Sequence, residues 1–521
     1  MKIRTEKISF VSDLDFNTLF FKGLEKEGLR VNPSLHLSQK KHAEELGSKL
    51  THPYITTDYS ESLLEFITPV FTKSEDSLNF LRDLHRFASK VIQKDEEVIW
   101  NSSMPAKIDR EEEVIIANYG TSNSGKLKEL YRKGLAHRYG RSMQAIAGIH
   151  YNISFNDSWF LKGNTKNISD ADYRSEEYFH TIRNYRRYSW LLVYLFGASP
   201  VVDKSFLANK KHDLKPIGRD TYGLEYATSL RMGGLGYTSS AQESIVVCYN
   251  KLETYLKSIE TARRTPFADY EKIGLKKDGE FLQLNTHLLQ IDNEFYSNIR
   301  PKRVARSGQS ALQALEEKGV QYVEVRLLDI NPFFDMGIDT DEMDFIDLFL
   351  LFCLLIESPF LEEKENLIIQ NNFKTIVQDG LNPQAKVHYQ GQELGVREAA
   401  ISLLASISKV FSQFKDSEKI GALIEKQKQK VENPKTLPAA MILDQLHGED
   451  LSYVELADRL SKNARQSFMQ TSYEILEEEK LKEEAQKSLV EQKRIEASDT
   501  ENFEDFLDHY FESIKLKKVV L

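Results

Sequence analysis

The stretch Ile55-Thr-Thr-Asp58-Tyr-Ser-Glu-Ser-Leu-Leu-Glu65-Phe-Ile-Thr-Pro-Val70 decides how the chain is read. Its second half alternates as a strand does: Leu63, Glu65 and Ile67 point one way, Leu64, Phe66 and Thr68 the other. A glutamate between such neighbours is a poor strand residue unless something rewards it. Asp58 stands just upstream in a hydroxyl-rich turn, beside Tyr59. Two carboxylates so placed suit a cation held by oxygen ligands. Alone, the stretch is equally an antiparallel strand with one wet face.

The same pattern recurs at distant points. In Gly23-Leu-Glu-Lys-Glu-Gly-Leu-Arg-Val31, Glu25, Glu27 and Leu29 share a face, and two acids there repel unless solvent or a cation lies between them. In Gly148-Ile-His-Tyr-Asn-Ile-Ser154, His150 and Asn152 share one face and Ile149, Tyr151 and Ile153 the other. In Tyr322-Val-Glu-Val-Arg-Leu-Leu-Asp329, Glu324 and Arg326 oppose Val323, Val325 and Leu327. One sheet with its apolar face under helices gathers Glu25, Glu27, Asp58, Glu65, His150 and Glu324 on the open face. Mg²⁺ or Mn²⁺ would offset their charge, and a set of oxygens with one imidazole disfavours structural zinc. Arg326 then supplies a fixed cation for a transferring phosphoryl group.

Between these strands, Ser74 to Ile92 has helical apolar spacing through Leu78, Leu81, Leu84 and Phe87. The tail of a first helix is expected over Asp15 to Phe21, closing at Gly23, and further helices over Lys126 to Tyr139, Tyr178 to Leu195 and Ile245 to Thr261. Residues 120 to 127, Gly-Thr-Ser-Asn-Ser-Gly-Lys-Leu, nearly spell a P-loop, but Leu127 stands where a hydroxyl must bind Mg²⁺. The stretch reads as a turn with Ser124 as N-cap. Glycines 233, 234 and 236 lie beside Arg231 and Tyr237, which are candidates to hold a carboxylate and a small side chain. Phe281 to Asn285 and Leu288 to Tyr296 are candidate strands, and Arg300, Lys302, Arg303 and Arg306 form a cationic cluster suited to phosphates. From about Asp339 the pattern is helical, with no further alternating acidic strand.

The formal net charge of the 521 residues is -10, which argues against nucleic-acid binding because no basic surplus displaces counterions. Two cysteines, Cys248 and Cys353, form no framework and are expected to be buried, which fits a reducing compartment. The N-terminus lacks the apolar core of a signal peptide, and the apolar run Phe345 to Ile356 is too short to span a bilayer and carries Asp347. A soluble cytoplasmic protein, without nucleic-acid or membrane partners, is expected.

Long words of this sequence resemble the glutamate–cysteine ligase family of the bacterial, enterobacterial type. They include Gly23 to Val31, Ile55 to Val70, Tyr119-Gly-Thr-Ser-Asn123, Tyr131-Arg132 with Gly134-Leu135, and His150-Tyr-Asn152. Others are Leu195 to Pro200, Tyr226 to Arg231, Leu235 to Thr238, Ile299 to Val304, and Glu324-Val-Arg326 with Leu328 to Pro332. The resemblance is dense over roughly residues 20 to 350.

It implies an α+β, glutamine-synthetase-like fold: a mainly antiparallel curved sheet with an open polar face, covered by helices. Residues 1–338 would be the catalytic core and 339–521 a mainly helical C-terminal region. The implied reaction joins L-glutamate to L-cysteine with ATP as co-substrate, through a γ-glutamyl phosphate, in glutathione synthesis. It assigns Mg²⁺ (or Mn²⁺) to Glu25, Glu27, Asp58, Glu65, His150 and Glu324, and the transferring phosphate to Arg326. Tyr59, Tyr131, Leu135, Gln144, Ile146, Arg231, Tyr237 and Tyr296 fall at amino-acid substrate positions, and Arg300, Lys302 and Arg303 at nucleotide positions. Tyr59 departs from the family pattern, which has Phe there. A monomer is expected. A same-fold ligase for a different amine and a non-catalytic metal- or nucleotide-binding regulator are the competing readings.

Overall fold

The computed structural model describes residues 1–165, 168–208, 210–235, 240–306 and 308–518. Its centre is an open antiparallel sheet. The strands run in the order Ile299–Lys302, Tyr322–Leu328, Ile149–Phe155, Phe20–Val31, Leu63–Ile67 and Ile55–Thr57, with Val98–Ile99 pairing the far end of Phe20–Val31. The Phe20–Val31 strand is long enough to pair with Ile149–Phe155 on one side and Leu63–Ile67 on the other. A register shift between Val325 and Leu328 bends the sheet there.

Register places the polar residues. Glu25 lies opposite His150 on one neighbour and Ile67 on the other, Glu27 opposite Glu65, and Glu324 opposite Asn152 and Arg300. The other face is apolar in the main, with Leu24, Tyr151 and Val325 side by side and fully buried. Helices Ser74–Ile92, Asp170–Tyr188, Trp190–Phe196 and Thr340–Leu355 cover it. Ser74–Ile92 forms where its spacing places it, with Leu78, Leu81, Leu84 and Phe87 inward and Glu75 and Asp76 at its positive N-terminus. His85 on this helix is in the core, its ring 4.2 Å from that of Phe66.

Several expectations need correction. Asp15 to Phe21 is no helix: Asp15 caps a single 3-10 turn, Phe16–Thr18, and the strand starts at Phe20 with Gly23 inside it. A Cβ at Gly23 would lie 3.3 Å from the Pro69 carbonyl oxygen, a close approach that glycine eases. The helix after the P-loop-like stretch is Asn123–Tyr139, and its cap is Ser122, whose hydroxyl accepts from the Gly125 amide. The aromatic helix is two, Asp170–Tyr188 and Trp190–Phe196, with Ser189 between them. Leu252–Arg264 replaces the helix expected from Ile245. Only Glu280–Phe281 of the two candidate strands before Arg300 pairs, and the second is a turn around Asp292–Glu294. The C-terminal part includes a hairpin, Lys386–Tyr389 with Gln392–Gly395. Cys353 is buried, whereas Cys248 is partly exposed.

One continuous hydrophobic core runs from Ile8 to Leu516. Among the described residues no helix is long and apolar enough to cross a membrane.

Candidate active site

The open face of the sheet carries the predicted acids together. Glu25 accepts a hydrogen bond from the Asn152 amide (2.9 Å) and lies 3.3 Å from His150 Nδ1. His150 Nδ1 is 3.8 Å from Glu324, and Nε2 is 3.9 Å from Glu27. Ligand atoms of Glu25, His150 and Glu324 lie within 4.8 Å of one another. Glu27 accepts from the Gly148 backbone amide at 2.7 Å. Asp58 and Glu65 border the same acids, and the Asp58 charge raises the proton affinity of Glu27 and Glu65.

The electrostatics divide this group in two. Burial and the Asp58 charge push Glu27 up to about 8, against the pull of Arg231 and the Gly148 amide. Burial, Glu25 and Asp58 together lift Glu65 well above the carboxylate range. Glu324 goes the other way: burial raises it, but Lys302 at 3.6 Å and Arg326 at 3.1 Å outweigh burial and hold it low. Its second oxygen, Oε2, is buried without a hydrogen-bond partner. The end of the trough near Arg326 is therefore compensated, and the end near Glu27 and Glu65 is short of positive charge. An orphaned carboxylate oxygen, an imidazole and crowded acids form a donor set that fits one or more hard divalent cations.

Arg326 donates to Glu324 and lies 3.4 Å from His150 Nδ1, so its guanidinium sits on the rim of the acidic floor. Arg300 donates to the Asn293 carbonyl at 3.0 Å and lies 4.0 Å from Glu324. Lys302 completes this cationic side. Arg303 is not gathered here: past the strand end it donates to the Gly319 carbonyl.

Tyr59, Leu135, Gln144 and Ile146 are buried, and Tyr131 and Tyr296 half-buried. Gln144 donates to the Tyr296 hydroxyl at 3.3 Å, and the Tyr59 hydroxyl has no hydrogen-bond partner. Arg231 is only 1% exposed, lies over Gly148, and donates to the Arg326 carbonyl at 2.9 Å. Gly148 is what admits it, since a Cβ there would fall 2.1 Å from the guanidinium. Tyr237 lies outside the described residues.

Sequence reading missed Arg132 and Asp329. Arg132 donates to the Asp58 carbonyl and stacks 4.5 Å from the centre of the Tyr119 ring. Its signal was a basic residue beside Tyr131 on a helix facing the acids. Asp329 is buried 3.7 Å from Arg231 and accepts from Ser199 and the Ala198 amide. It follows the Glu324 strand and gave no pattern of its own.

An open antiparallel sheet with acids on its floor and guanidinium and ammonium groups on one rim has the chemistry of a ligase handling anionic, phosphorylated reactants. Comparison with known proteins agrees. The family model for glutamate-cysteine ligase matches residues 11–376. Glutamate–cysteine ligases of Pseudomonas entomophila and Pseudomonas putida are 44% and 45% identical to this chain, over 96% and 94% of it and the same shares of theirs. The crystal structure of Francisella tularensis glutamate–cysteine ligase in complex with AMP superposes with a TM-score of 0.89 at 35% identity, covering 95% of this chain and 98% of that one. A bifunctional glutathione synthetase from Pasteurella multocida shares the fold, with a TM-score of 0.70 at 23% identity over 90% of this chain and 55% of that one. The chain belongs to the glutamate–cysteine ligase family.

Proposed function

We propose that the protein joins the γ-carboxylate of L-glutamate to the amino group of L-cysteine at the expense of ATP. The products are γ-glutamylcysteine, ADP and phosphate, and the reaction is the first step of glutathione biosynthesis. The observation that carries this is the trough itself, with Glu25, His150 and Glu324 converging beside Arg326 in a chain of this family.

Glu25, Glu27, Asp58, Glu65, His150 and Glu324 would hold Mg²⁺, or Mn²⁺ in its place, which would supply the charge that neutralises the triphosphate. Arg326, Arg300 and Lys302 stand on the rim where a γ-phosphoryl group passes to the γ-carboxylate, and Arg326 stabilises the charge that develops there. The amine then attacks the acyl phosphate and phosphate leaves. Tyr59, Tyr131, Leu135, Gln144, Ile146 and Tyr296 enclose the amino-acid side, and Arg231, sealed over Gly148 rather than open to a substrate carboxylate, steadies the Arg326 backbone from behind. Holding the reactants together supplies the entropic advantage.

The sheet-bearing residues 1–338 form the catalytic core in this reading, with the mainly helical 339–521 packed against it. The enzyme acts as a cytoplasmic monomer on small molecules. Purified protein should release phosphate from ATP only with glutamate, cysteine and Mg²⁺ together. Release that ignores cysteine, or that a different amine supports better, would overturn the assignment.

A further inference from the structure

Behind the amino-acid side of the trough lies a fully buried ion pair that none of the chemistry above uses. Arg138, on Asn123–Tyr139, and Glu294, in the turn before Ile299–Lys302, are 3.0 Å apart with both side chains 0% exposed. A buried pair is tolerated only when its remaining donors and acceptors are satisfied. Here they are. Arg138 also donates to Gln283 (3.0 Å) and the Asn285 carbonyl (2.6 Å), and lies 4.2 Å from the centre of the Tyr270 ring. Glu294 also accepts from the Tyr139 hydroxyl (2.7 Å) and the Gln290 amide (2.6 Å).

Two glutamines carry this hub outward. Gln290, whose backbone Glu294 holds, donates its side-chain amide to the Tyr131 carbonyl at 3.2 Å. Gln242 donates to the Glu294 carbonyl (3.0 Å) and the Tyr139 hydroxyl (3.2 Å), and accepts from the Tyr296 amide at 3.2 Å. The backbones of Tyr131 and Tyr296 thus hang from one ion pair although they lie 165 positions apart in sequence (296 less 131). Gly134 makes the connection possible: a Cβ there would fall 2.0 Å from the Gln290 amide oxygen.

We propose that Arg138 and Glu294, acting through Gln290 and Gln242, are positioning residues that set the spacing of Tyr131 and Tyr296 and hence the selectivity for the amine substrate. The proposal rests on the reading above that these tyrosines border the amine. Full charge satisfaction gives the hub one stable geometry, so the two walls cannot shift independently. A wall displaced by a fraction of an ångström changes discrimination between amines of similar size more than it changes chemistry at the phosphoryl end.

Gly134→Ala is the informative variant. Alanine favours a helix interior over glycine by about 1 kcal/mol, so the helix itself is not weakened, while the new methyl must push Gln290 aside. The expected result is a KM for cysteine raised about tenfold, with an altered ratio of cysteine to 2-aminobutyrate use. KM values for ATP and glutamate should stay within about twofold. Gln290→Ala should reproduce the effect, and Gly134→Ala added to Gln290→Ala should do little more, because both act through one contact. Additive effects, or KM values for all three substrates moving together, would overturn the proposal. Wild-type protein indifferent to cysteine would instead defeat the assigned reaction, and that result is read before any variant is made.

Discussion

At the residue scale, the trough is a problem of uncompensated charge. Glu27 and Glu65 sit directly opposite each other and are both driven upward, which no sheet tolerates for packing alone. Replacing Glu65 with Ala should leave the circular dichroism spectrum and melting cooperativity intact while lowering kcat/KM at least about a thousandfold, since charge stabilisation is lost where the reaction needs it. An active Glu65→Ala enzyme would remove that carboxylate from the machinery. Tyr59 offers the opposite test. Its hydroxyl is buried without a partner, and burial pushes it well above the usual phenol range. Tyr59→Phe should therefore raise unfolding free energy by about 1 kcal/mol in urea titrations, because a desolvated, unpaired hydroxyl is a cost. A loss of stability of that size would show a hydrogen bond to the hydroxyl.

The elements explain how such a face is held. On the covered side of Phe20–Val31, Lys22 is 1% exposed and paired with Asp347 of Thr340–Leu355, which also accepts from the Tyr151 hydroxyl at 2.7 Å. This pins the apolar helix to the sheet at a definite register. Lys22→Met alone strands the Asp347 charge and should cost about 3–5 kcal/mol, whereas Lys22→Met with Asp347→Leu should recover most of it. Chemical denaturation of the two variants separates these outcomes, and equal losses in both would mean the pair contributes through packing. The strands were legible because a period of two survives in any environment, and so was Ser74–Ile92. Nothing in the local sequence marks Lys22 and Lys26 as buried, yet both are, because partners supplied from remote segments repay the desolvation of Lys22, and Asn101 accepts from Lys26. The missed boundaries at Phe16–Thr18 and Ser189 turn on side-chain caps and local backbone choices that carry little periodic signal.

Across the whole molecule, C-terminal segments brace elements that carry the site. Asp499 accepts from the Asn123 amide at the start of the Asn123–Tyr139 helix, and Ser488 accepts from the Ser48 amide at 2.9 Å. Next to that contact, His52 Nδ1 accepts from the Tyr54 and Ile55 amides at 3.1 and 2.9 Å, which requires a neutral ring. Burial lowers its pKa to about 4 from an ordinary value of 6.5. Between those values the unfolded chain binds a proton that the folded one refuses, so stability falls as pH drops. His52 alone should cost about 2 kcal/mol at pH 5 relative to pH 7. Buried His85, pushed lower still, adds to the same trend. Glu27 and Glu65, which hold protons in the folded state, act in the opposite direction, so urea midpoints of the wild type and of His52→Asn at the two pH values test this: a variant with the same pH dependence as the wild type would mean the ring is protonated at little cost. Chelation tests the trough at the same scale: excess EDTA should abolish turnover, and added Mg²⁺ restore it, without unfolding the chain.

Linear order was enough for the alternation of acid and apolar residues on four strands, the helix that covers them, and, through long matched words, the family. These are local or linear properties, written within a few residues of one another. Long-range packing alone makes Glu25, His150 and Glu324 converge while Arg303 turns away, seals Arg231 over Gly148, and lets Glu294 tie two distant tyrosines together. Those outcomes depend on register and on which buried charges find partners, and both are settled by segments hundreds of residues apart.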